Sequence, residues 1–175
     1  MRMNVTPQWK EALKDKITPE QNIRYVKATQ VFRQVRNDMR RIRRKYKSLI
    51  LHGSQNEFDQ VFSEHYYLFE REGKALLKFG DEVLLPCSAG QKMTDILSVS
   101  ELCMKTPDFT FSTCSLLHVI ELWEQIRPIK NFELEFIPLA IKAAAIHVIA
   151  EQMEEKSKKQ EFLNKAIETL FAVKS

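Results

Sequence analysis

The chain has 175 residues, of which 44% are hydrophobic and 29% charged, with a net charge of +4. That length and balance suit one folded domain, residues 1–175, with a sizeable core, and they exclude a disordered tail or a low-complexity linker. Only four glycines occur, Gly53, Gly73, Gly80 and Gly90, so long flanking stretches lack a left-handed turn residue and an all-α bundle of six or seven helices is expected.

Thr6 before Pro7, and Thr18 before Pro19 and Glu20, each read as an N-cap followed by proline at the first helical position, where its missing N–H costs nothing. A short first helix is therefore expected over Pro7 to Lys16. A second is expected to run unbroken from Pro19 to about Leu51, roughly 50 Å at 1.5 Å per residue, ending at His52-Gly53. Tyr25, Ala28, Phe32, Val35, Met39, Ile42, Tyr46 and Leu49 follow one another at alternating steps of three and four, which is the seam of a bundle helix or coiled coil. A homo-oligomer through this Tyr25–Leu49 seam is one expectation.

Within the same helix, Val31 to Lys47 carries eight of the 27 basic residues and one of the 23 acidic ones, Asp38, so the rest of the chain has a net charge of −3. With Phe32 and Met39 at heptad position a, Arg36 and Arg43 fall at e, Arg33, Arg40 and Lys47 at b, Arg44 at f and Arg41 at c. The cations thus face away from the seam. Arginine outnumbers lysine six to two here, and guanidinium makes two-pronged contacts with anions, so the stretch favours a recognised anion over a merely solvated face. Arg33, Arg36, Arg40, Arg41, Arg43, Arg44, Lys45 and Lys47 are the candidate partner- or phosphate-binding residues. The stretch superficially resembles a basic zipper, but in that family the basic region precedes the heptads, whereas here the two overlie each other. The alternative to an outward-facing patch is neutralisation by acidic clusters such as Glu70 and Glu72, Glu121 and Glu124, Glu133 and Glu135, or Glu151, Glu154 and Glu155.

Past Gly53, Ser54 with Glu57 forms a capping box, and Phe58, Val61, Phe62, His65 and Phe69 carry a third helix to about Glu72. Ala75 to Phe79 and Glu82 to Leu85 flank Gly80-Asp81 as either a small β-hairpin or a helix end and loop. A short helix follows over Asp95 to Lys105, closed by Thr106-Pro107. Ser112 or Thr113 opens another, with Leu116, Leu117, Ile120, Trp123 and Ile126 inward, and a further helix begins around Pro138. Its apolar stretch Phe136 to Ala150 is too short to span a bilayer and contains Lys142 and His147, so it reads as a core helix. Glu154 to Gln160 is a charged stretch, and Phe162 to Phe171 closes the chain as an amphipathic helix.

Chemistry is sparse. Three cysteines, Cys87, Cys103 and Cys114, lack framework spacing, and the first residues lack an apolar leader, pointing to an intracellular, cytoplasmic setting. Asn4-Val5-Thr6 would accept a glycan only in a secreted chain and is discounted. Cys114, His118 and Glu121 share one side of their helix, a spacing common by chance, so no metal is expected. Cys87 sits in a Pro- and Gly-bounded loop without an identifiable base, and Gly90-Gln91-Lys92 lacks the glycine and Ser/Thr of a phosphate loop. Tyr66-Tyr67 places at least one ring off its helix's inward stripe, a possible contact surface. No cofactor motif appears. The expected function is a non-catalytic interaction module, an adaptor, chaperone-like or assembly subunit, holding an acidic protein on the basic face. The alternative is a nucleic-acid-binding protein contacting phosphates there.

Overall fold

The computed structural model describes residues 7–78, 83–153 and 160–173. Thr6, the Gly80-Asp81 turn, Glu154 and Glu155 lie outside them. Among the described residues the order is α1 (Pro7–Lys16), a 3-10 turn (Glu20–Asn22), β1 (Ile23–Lys27), α2 (Thr29–His52), α3 (Glu57–Glu64), α4 (Tyr66–Leu77), β2 (Leu84–Ser88), α5 (Asp95–Lys105), α6 (Thr113–Glu124), α7 (Asn131–Gln152) and α8 (Gln160–Ala172). An all-α bundle with one small antiparallel sheet results.

The centre is α7. Its run of alanines between Ala140 and Ala150, with Ile146, Val148 and Ile149, is buried on every side. Small side chains let α2, α4, α5 and α8 all pack against it. Phe32 of α2 meets Phe136 of α7 with ring centroids 6.1 Å apart. On the other flank of α2, α4 approaches so closely at Gly73 that a Cβ there would lie 2.4 Å from Met39 Sδ.

Four expectations are corrected. The helix expected from Pro19 is broken: Ile23–Lys27 is a strand and α2 starts only at Thr29. Ile23, Tyr25 and Val26 favour extended backbone, and a partner more than 50 residues downstream supplies the ladder, with Ile23 opposite Ser88 and Lys27 opposite Leu84. Tyr25 accordingly leaves the seam and is 49% exposed. The β element expected near residues 75–85 is present as β2, paired with β1. Pro86 is tolerated in it because a two-stranded ribbon consists of edges.

The third helix, secondly, is two. Asn56 rather than Ser54 caps α3, its side chain accepting the Asp59 N–H at 2.9 Å, and the chain breaks at His65 before α4. Thirdly, α7 begins at Asn131 and carries Pro138 inside it, because the Glu133 carboxylate accepts the Lys130 N–H at 3.0 Å and caps the helix seven residues before Pro138. The N–H that Pro138 lacks removes one bond from a helix held by packing all round. Fourthly, α6 buries Ser115, Val119 and Trp123 while Leu117 is 52% exposed, a rotation of its inward face that follows from its packing against α1.

Candidate interaction surface

Helix α2 carries two faces of opposite character. Val31, Phe32, Val35, Met39, Ile42 and Leu49 are buried within the chain's own core. Arg33, Arg36, Arg40, Arg44 and Lys47 are exposed and form no ion pair among the described residues. Steps of three, four, four and three keep these five on one ridge, about 21 Å long at 1.5 Å per residue.

The other three predicted cations are turned to the flanks and paired. Arg43 grips Glu70 with both prongs, Nε to Oε2 at 3.0 Å and Nη2 to Oε1 at 2.9 Å. The same carboxylate accepts the Tyr66 hydroxyl at 3.0 Å and lies 3.3 Å from Lys74. Its hydrogen bond from Arg43 holds Glu70 below the usual carboxylate range and raises the guanidinium above its own. Lys45 Nζ is 3.3 Å from Asp59, and Arg41 Nη1 is 3.4 Å from Asp38. Of the acidic clusters expected to neutralise the patch, only Glu70 does so among the described residues, on the flank of the helix, with Asp59 and Asp38 supplying the other two pairings. Glu72 is engaged by Lys142 at 3.0 Å.

Asp38, the lone acid of the basic stretch, faces inward and is fully buried. It accepts Gln34 Nε2 at 3.0 Å and lies 3.0 Å from His147 Nδ1 on α7. His147 Nε2 meets Glu151 at 3.1 Å and lies 3.9 Å from Glu101. Burial alone would lower the imidazole, but hydrogen bonds to Asp38 and Glu151 and the charges of Asp38 and Glu101 lift it to about 10. The same imidazolium, more than burial can offset, holds Glu151 down to about 2. Glu101, His147 and Glu151 bring potential metal-ligand atoms within 4.8 Å of one another. Lys105 Nζ lies between the two carboxylates, 2.7 Å from Glu101 and 2.8 Å from Glu151, so the cluster carries an ammonium of its own.

A second buried network ties the far end of the bundle. Arg127, between α6 and α7, reaches Asp95 at the start of α5 and Glu133 at the start of α7, at 2.9 and 2.8 Å. All three are buried. Asp95 also accepts the Ser88 N–H at 2.8 Å, joining β2 to the same knot. Both networks escape the sequence reading; Asp38 among arginines and His147 inside an apolar run are the available signals for the first.

The remaining candidates are dispersed. Cys114 and Glu121 are exposed on α6 and His118 is partly so; they do not belong to the ligand cluster just described. Cys87 is buried, its thiol donating to Met93 O at 3.1 Å and Gln91 O at 3.4 Å. Tyr46 and Tyr66 stack face to face at 3.7 Å, and Tyr67, 74% exposed as a residue, stands edge-on to both. No helix of the described residues is long and apolar enough to cross a membrane. Compared with protein-family models, curated proteins and solved structures, the chain matches none.

Proposed function

We propose that the chain is a non-catalytic helical interaction module that docks an acidic protein partner along the Arg33, Arg36, Arg40, Arg44 and Lys47 ridge of α2. The observation that carries this reading is the division of charge along one helix. Arg41, Arg43 and Lys45 are paired within the fold, while five neighbours on the outward ridge are exposed and form no ion pair among the described residues. The seam behind the ridge is buried against α4 and α7, so the cations stand on a rigid backbone support and only their side chains lose order when a partner arrives. A partner helix with carboxylates three and four residues apart would match the ridge, and arginine forks suit it better than point charges.

One observation favours a second reading, single-stranded nucleic acid on the same ridge: the exposed Tyr67 beside the Tyr46–Tyr66 stack offers a surface for a base. Fluorescence anisotropy with a labelled glutamate-rich helical peptide and a labelled single-stranded oligonucleotide, at low and physiological salt, separates the two. Docking of an acidic protein predicts binding of the peptide that Tyr67→Ala leaves unchanged. Tighter binding of the oligonucleotide, weakened by Tyr67→Ala, would replace it with the second reading.

A further inference from the structure

Where α2 begins, a cleft of about 260 Å³ opens between α2, β1 and the start of α5. Gln30, Arg33, Lys92 and Thr94 supply its polar wall, and Val31 and Leu97 part of its apolar one. Three properties of this wall point to a ligand. Arg33 and Lys92 are both exposed and form no ion pair among the described residues. Thr94 is only 4% exposed, yet its hydroxyl has no hydrogen-bond partner. It also stands at the N-cap of the eleven-residue α5 without capping it through its side chain, so the first amides of that helix keep their positive end uncapped on this side. Asp95, the first acid of α5, does not cap these amides, because its carboxylate is taken up by Ser88 N–H at 2.8 Å and by Arg127 at 2.9 Å.

We infer that this cleft binds a phosphomonoester, its phosphate held by Arg33 and Lys92 over the start of α5 and its organic part against Val31 and Leu97. Two cations, an unpartnered hydroxyl and a helix N-terminus match a compact dianion with several acceptor oxygens. The volume exceeds what a bare phosphate fills, and the apolar wall gives the remainder a place. The inference goes beyond partner docking and shares only Arg33 with the ridge; Lys92 and Thr94 belong to the cleft alone.

The test is an NMR titration of the full chain with O-phosphoserine and, separately, inorganic phosphate, following the backbone amides of residues 94–97. Saturable shifts of these amides with O-phosphoserine, at least as tight as with inorganic phosphate, are expected. Lys92→Ala, a surface change that leaves folding intact, should weaken that affinity about tenfold, the loss of one charge-assisted contact. Thr94→Val should weaken it too, whereas Arg44→Glu with Lys47→Glu, about 16 Å or more along α2 from Arg33, should not, which keeps this site distinct from the ridge. The inference is overturned by the absence of saturable shifts, by shifts that Lys92→Ala leaves unchanged, or by binding of inorganic phosphate alone.

Discussion

His147 Nδ1 on α7 lies 3.0 Å from the carboxylate of Asp38, the single acid in the basic stretch of α2. The pair locks the two longest helices together across the core, with Gln34 and Arg41 completing the shell of Asp38. Asp38→Ala is expected to cost on the order of 3 kcal/mol, because it strips the buried imidazolium of its acceptor at Nδ1 and leaves only Glu151 at Nε2. Urea unfolding of the variant measures this. A change within about 0.5 kcal/mol, as for an ordinary surface site, would show the contact to be incidental.

The same pair gives stability a pH dependence of defined sign. His147 is raised from 6.5 to about 10 in the folded chain, so folding takes up a proton wherever the unfolded histidine is neutral. Its contribution is complete below about 6.5 and is lost as pH climbs toward 10. Burial holds Lys165 down to about 8, which acts in the opposite direction above that pH. Unfolding free energies between about pH 6 and 7, below the titration of Lys165, therefore report chiefly the histidine. They should fall across that interval in the native chain and stay flatter in His147→Gln; equal slopes would remove His147 as the cause.

Arg127 offers a sharper loss. Arg127→Met removes the partner of two buried carboxylates, Asp95 and Glu133, and should cost about 3–5 kcal/mol or prevent folding. Arg127→Lys should recover little, since a single ammonium cannot serve both acids as the planar fork does. Recovery by lysine to near-native thermal stability would contradict the geometry.

Gly73→Ala tests the closeness of α2 and α4. Helix propensity alone would favour alanine by about 1 kcal/mol, but its Cβ would meet Met39 Sδ at 2.4 Å and Cγ at 2.9 Å. Moving the tip of a fully buried methionine does not clear both atoms, so overpacking at the upper end of about 1–3 kcal/mol should prevail. In a Met39→Ala background the same substitution should stabilise, a coupling that a double-mutant cycle reads directly.

Much of the bundle was legible in the sequence, since caps and periodicity are local. Pro7–Lys16, Asp95–Lys105 and the Ser112-capped α6 lie where their residues placed them, and the apolar stripe of α2 from Val31 to Leu49 is the buried one. What failed depended on distant partners. The period of Tyr25 continued that of the helix, yet strand pairing with Leu84–Ser88 claimed Ile23–Lys27, while Ala28 keeps its buried seam position as the N-cap of α2. Of the candidate surface, the outward direction of Arg33, Arg36, Arg40, Arg44 and Lys47 could be read from the wheel. The pairing of Arg43 with Glu70 and of Lys45 with Asp59 could not, because it is set by where α3 and α4 land.

The ridge is tested most directly by reversing its charge without touching its supports. Arg36→Glu, Arg40→Glu and Arg44→Glu together alter exposed side chains that form no ion pair among the described residues, so each should shift unfolding free energy by no more than about 0.5 kcal/mol. Binding of the glutamate-rich peptide at low salt should vanish in this variant and persist in one where Lys74, on the Glu70 flank, is changed to Glu. Undiminished binding by the folded triple variant would contradict a docking role for the ridge.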